Sequence, residues 1–140
     1  MYLLDTDHIS LITRAGAEGT RIVTRLQAID PEEYAVSIVS YEEQSRGWLA
    51  EAARAKSVNQ QQFSYQQLGD LLKRYCATPL LQFTDRAVDE YQRLWLQRLR
   101  IGTMDLKIAA IALANDATLL SRNLSDFEKI PGLKVEDWSV

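Results

Sequence analysis

The chain has 140 residues, room for one domain (1–140), and its 46% hydrophobic and 25% charged content matches a soluble globular protein. That composition excludes a disordered tail, a collagen-like fibre and a disulfide-stapled mini-protein. Sixteen Lys and Arg against nineteen Asp and Glu leave a net charge of -3, so nucleic-acid binding would need a local basic patch or a metal ion.

Tyr2 to Leu4 reads as a short buried strand that meets Asp5 at once, with no basic leader, so no signal peptide is expected. His8 follows as a local helix-start residue, and Ile9 to Thr13 and Arg21 to Ile29 are helical, with Ile22, Leu26 and Ile29 on one face. Ala35 to Val39 is a second strand. Ser40 to Lys56 is expected as a helix with Tyr41, Trp48, Leu49 and Ala52 inward, and Phe63 to Cys76 as its antiparallel partner. Cys76 is the only cysteine, which excludes an internal disulfide; after Leu71, Leu72 and Tyr75 it reads as a small buried hydrophobe.

Leu80 to Phe83 is a third strand, and Thr84 caps a helix carrying Val88, Tyr91, Trp95 and Leu99 inward. Thr103 is the expected cap of a helix from Met104 to Asn115, apolar nearly all round and hence deeply buried. Thr118 to Ser121 and Leu133 to Val135 complete the strands, and Pro31, Pro79 and Pro131 fall in connections. The longest apolar run, Ile108 to Ala114, is far short of the roughly 20 residues that a membrane span needs. A cytoplasmic setting is expected. Strands separated by helices imply βαβ units, hence an α/β fold with a mainly parallel sheet covered on both faces, whose ligands gather beyond the strands' carboxyl ends.

Acids cluster at those ends: Asp5-Thr6-Asp7 after the first strand, Glu42-Glu43 after the second, Asp105 after the Thr103 cap, and Asp126 beyond the strand ending at Ser121. Carboxylates brought together must share a proton or a cation, and hard oxygen donors on an open rim suit Mg²⁺ or Mn²⁺. Each also has a structural use. Asp5 or Asp7 can cap the first helix, Ser40-x-x-Glu43 is a capping-box pattern, Asp105 complements a helix dipole, and Asp126 can hold a turn.

Four segments, Leu3 to Asp7, Val36 to Gly47, Asp105 to Ala110 and Leu120 to Phe127, resemble in order the signature blocks of PIN-domain proteins, in particular the VapC-type toxins of toxin–antitoxin pairs. The resemblance extends through Leu133-Lys134-Val135 to Trp138. It implies a three-layer α/β/α sandwich with a five-stranded, mainly parallel sheet, and a Mg²⁺- or Mn²⁺-dependent endoribonuclease. By position, Asp5, Glu43 and Asp105 match the principal acids, with Asp5 and Asp105 as metal ligands. Glu43 is preferred over Glu42 because it lies six residues after Ser37, as the family's pattern implies.

Asn123, counted with the catalytic set, stands where many members place a fourth acid; Asp7 stands where many have Asn, and Ser121 where Ser or Thr is usual. The resemblance further implies a homodimer and a small antitoxin that inserts a segment into the acidic groove. Arg46, Arg98, Arg100, Lys107 and Arg122 lie near the rim by sequence and are candidate RNA contacts. Asp5-x-Asp7 after a strand is also similar to haloacid-dehalogenase-type phosphatases, although Ile9 and the lack of a late Asp-Asp pair depart from that pattern. A degenerate domain that only binds RNA or protein is the third reading.

Overall fold

Successive residues of a strand face opposite sides of a sheet, and in this protein that alternation divides the core in two. The structure is a computed structural model describing residues 1–140. Five short strands, β1 (Tyr2–Leu4), β2 (Tyr34–Ser37), β3 (Leu80–Leu81), β4 (Thr118–Leu120) and β5 (Lys134–Glu136), pair in the order β3-β2-β1-β4-β5, all parallel. Seven helices connect them: α1 (Thr6–Arg14), α2 (Ala17–Leu26), α3 (Ile38–Arg54), α4 (Val58–Cys76), α5 (Asp85–Leu96), α6 (Thr103–Ala114) and α7 (Leu124–Phe127). Leu3, Ala35 and Leu119 face α5, α6 and Phe127, whereas Leu4, Val36 and Leu120 face α1, α2, α4 and Trp138. The result is the expected α/β/α sandwich, with a wholly parallel sheet. No helix is long and apolar enough to cross a membrane.

Several boundaries and faces differ from the sequence reading. The second strand ends at Ser37, not Val39, because the Ser37 hydroxyl accepts the Ser40 N–H (3.0 Å) and starts α3 at Ile38. Val39 is buried as a helical residue; a short apolar run does not distinguish the two states. Thr103 is the first helical residue of α6 and Gly102 its cap, whereas Thr84 does cap α5, accepting the Ala87 N–H. The edge strands also shift: β3 stops at Leu81, and β5 runs one residue later than Leu133 to Val135.

Cys76 is exposed, because the inward stripe of α4 runs through Leu71 and Tyr75 and leaves Cys76 about 100° further round. Leu49 is exposed, and Trp48, half-buried, packs edge-on against the exposed Phe63. On α5 Ala87 and Leu94 are fully buried and Tyr91 packs against the same core as expected, whereas Trp95 lies outside, stacked on Tyr91. The α6 helix is buried on nearly every side, as its composition predicts.

The first two helices approach closely at Gly19, where a Cβ would lie 2.2 Å from the carbonyl oxygen of Leu11. Backbone cannot yield as a side-chain tip can. Gly19→Ala is therefore expected to destabilise the fold by about 1–3 kcal/mol, the usual cost of overpacking, read as a lower urea midpoint at unchanged m.

Candidate active site

From β1 the chain builds β2 and β3 on one side, then returns to add β4 on the other side of β1. Such a reversal opens a crevice at the carboxyl ends of the strands, and Asp5 and Ser121 leave the sheet there side by side. Leu4 is in register with Leu120, and the Asp5 N–H donates to the Leu120 carbonyl (3.0 Å). Asp5, not Asp7, caps α1: its Oδ1 accepts the His8 N–H at 2.8 Å. The side chain is buried, and burial pushes its pKa up to about 6; hydrogen bonds from Ser121 and His8 oppose the rise, while the charges of Asp7 and Asp105 add to it.

Because α3 begins at Ile38, Glu43 lies in its second turn, too far along to form a capping box. Its Oε1 instead accepts the Thr6 hydroxyl at 2.6 Å. That hydroxyl also lies 3.0 Å from Ser40 Oγ, which in turn is 3.3 Å from Ser37 Oγ, so a chain of hydroxyls ties the starts of α1 and α3 together. Glu42 points away and pairs with Arg46 at the surface. Asp105, in the first turn of α6, is half-buried; burial raises its pKa first, then the charges of Glu43 and Asp126, and the Asn123 amide lowers it. Asn123 donates to Asp126 (3.0 Å), and with Lys129 it holds that carboxyl below its usual range.

Asp5, Glu43, Asp105 and Asn123 share one open cavity of about 490 Å³, together with Thr6, Asp7, Ser10 and Arg122, and no apolar side chain lines it. All four residues selected from the sequence are thus brought together. Asp126 and Ser121 stay outside the wall, Ser121 being fully buried and accepting the Asn123 N–H (2.9 Å). Arg46, Arg98, Arg100 and Lys107 do not reach the cavity; Arg122 does.

Thr6 and Ser10 were not singled out by sequence. The available signal was position: Thr6 follows Asp5 directly, and Ser10 lies one helical turn beyond Thr6. His8 lies in the first turn of α1, at the helix start as expected, but its side chain makes a long-range contact. It is fully buried, its Nε2 accepts the N–H of Trp138 (3.2 Å), and burial lowers its pKa, which keeps the ring neutral. Its Nδ1 lies 3.6 Å from Asp5 Oδ1.

The cavity offers oxygen donors and no sulfur or imidazole, which suits a hard cation. No three ligating side chains stand close enough to cage one. Mg²⁺ does not require a cage, since it commonly takes one or two carboxylates and retains several waters.

Comparison with known proteins finds related sequences and the same fold. Ribonuclease VapC1 of Rickettsia felis is 42% identical over 60 residues, a stretch that covers 40% of this chain and 45% of that protein. The matched stretch thus spans less than half of that relative. Among solved structures, VapBC-1 from nontypeable Haemophilus influenzae has a chain that superposes with a TM-score of 0.76 at 24% identity, covering 99% of this chain and 98% of that one. VapBC2 from Rickettsia felis, solved with a promoter DNA fragment, gives 0.72 at 25% identity, covering 98% of both chains. The PIN domain profile matches residues 2–133, a span from the first strand to the edge of the last that takes in every acid on the cavity wall, and the chain belongs to the PIN domain family.

Proposed function

We propose that the protein is a Mg²⁺- or Mn²⁺-dependent endoribonuclease of the VapC toxin type. The observation that supports this most is the meeting of Asp5, Glu43 and Asp105, from three separate segments, on one wall at the carboxyl ends of the strands of a PIN fold. Asp5 and Asp105 would hold the cation. Asp5 has one oxygen committed to the His8 N–H, which fixes the direction in which the other points. A bound cation would supply positive charge for the phosphodiester and lower the pKa of water. Glu43, its Oε1 oriented by Thr6, accepts the proton of the attacking water as the water oxygen bonds to phosphorus and the ester bond to the leaving oxygen breaks. Asn123 contributes an amide to the same wall, without the charge of a fourth acid.

The resemblance to VapC-type toxins adds RNA as substrate, a small antitoxin and a second copy of the chain as partners, and the cytoplasm as setting, for a single domain over residues 1–140. The phosphatase reading needs a free acid/base at Asp7, which is instead gripped by Arg122 through two hydrogen bonds.

Incubating the purified protein and Mg²⁺ with total RNA and sequencing the new ends tests the activity. Side chains cannot read the deep, narrow major groove of an A-form helix, so cuts are expected in loops and single strands. Equal cutting throughout a perfect duplex, or none in any RNA, would overturn the reading.

A further inference from the structure

Arg122 is the only cation on the wall of the acidic cavity, and the charged groups facing it are Asp7, Glu18 and Asp137. Its Nε–H and Nη2–H donate to Asp7 Oδ2 (2.6 Å) and Oδ1 (3.0 Å), a two-point grip along one edge of the guanidinium. The two residues are 115 positions apart: Asp7 lies in the first turn of α1, and Arg122 lies two residues past the end of β4, just before Asn123. Glu18 Oε1 lies 3.7 Å from Nη1, beyond hydrogen-bonding distance. A guanidinium has five N–H donors, so both on Nη1 and one on Nη2 remain open on a side chain that is 41% exposed.

As a brace for the fold this pair is poorly placed, because exposed ion pairs contribute only about 0–1 kcal/mol. As an anion receptor it is well placed. The free edge of the guanidinium is the planar fork that matches two phosphate oxygens. Without it, a polyanionic substrate would meet Asp5, Asp7, Glu43 and Asp105 with no side-chain cation on the wall.

We propose that Arg122 binds an RNA phosphate at the rim of the cavity through its free edge, and that Asp7 is the residue that positions it. This rests on the nuclease reading above for the identity of the polyanion. Asp7 thus acts through the arginine, which separates it from the Asp5, Glu43 and Asp105 set.

The test measures binding of a short labelled single-stranded RNA in Mg²⁺ at several salt concentrations, on a Glu43→Gln background so that the RNA survives, together with cleavage kinetics on the otherwise wild-type protein. Arg122→Ala is expected to weaken binding and raise KM about tenfold with a smaller change in kcat, the mark of uniform binding. The slope of log affinity against log salt should fall by about 0.7, the share of one single-strand phosphate. Arg122→Lys, which keeps the charge and loses the fork, should restore the slope but only part of the affinity.

Asp7→Ala should weaken binding by a smaller factor, and Asp7→Ala/Arg122→Ala should be no worse than Arg122→Ala alone. Wild-type affinity and salt slope in Arg122→Ala would overturn the proposal and leave the pair a surface brace; unchanged or tighter binding in Asp7→Ala would remove the positioning role. A protein that binds this RNA and loses tenfold on Arg122→Ala, yet cuts none, keeps the arginine's role and overturns the nuclease reading. A protein that does not bind the RNA overturns both.

Discussion

Asp5→Asn is expected to melt higher than the wild type at pH 7 in the presence of chelator, and to lose RNA cleavage by about 10²–10³-fold, the cost of removing one element of a preorganised electrostatic site. The two effects have one cause. In the folded protein Asp5 ionises near 6 instead of the usual 3.8, since burial and the neighbouring Asp7 and Asp105 charges disfavour its anion. The unfolded chain ionises at the usual value, so between about 4 and 6 the folded state binds more protons, and stability falls as pH rises through that window. Above about 6 the penalty is complete, on the order of 1–3 kcal/mol. Asn removes the charge and still caps α1, as it ranks with Asp at that position. The gain of Asp5→Asn over wild type should therefore be full above pH 6 and shrink toward zero below about pH 4. Thermal melts across that range check it; an Asn variant less stable than wild type at pH 7 would make the carboxylate structural.

Glu43→Gln is expected to keep its melting temperature and lose at least about a hundredfold in RNA cleavage, the low end of an acid/base contribution. Gln retains an oxygen for the Thr6 hydroxyl, so the link between α1 and α3 survives. It cannot take up a proton from water. Glu42→Gln, one residue away, loses only an exposed contact with Arg46 and should cut RNA like the wild type. Cleavage rates and melts of the two variants measured together give the answer. Near-normal cleavage by Glu43→Gln would assign that carboxylate to the tie with Thr6 alone.

The sheet and its rim were legible because short apolar strands separated by longer helical patterns leave few architectures, and acids placed just past strand ends then converge by topology. Asp5, Asp105 and the Glu42-Glu43 pair were legible for that reason, whereas the choice of Glu43 and of Asn123 rested on the resemblance to PIN-domain proteins. What stayed hidden was decided by single side chains. Ser37 and Ser40 are both plausible caps, and the choice of Ser37 moved Glu43 out of a capping box and into the second turn of α3. Inward faces slipped by one residue at Trp95 and at Cys76, since Leu94 and Tyr75 compete for the same buried positions. The pairing of Asp7 with Arg122 and of His8 with Trp138 joins residues 115 and 130 positions apart, and no local pattern announces such contacts.

The central claim, that these acids form a cation-dependent centre for RNA cleavage, is tested most directly by cleavage of RNA by the purified wild-type protein in excess EDTA, followed by titration with Mg²⁺ and with Mn²⁺. No cleavage in chelator is expected, with activity restored by either ion and by Mn²⁺ at the lower concentration, because it binds the same oxygen donors more tightly. Undiminished cleavage in excess chelator would contradict the account.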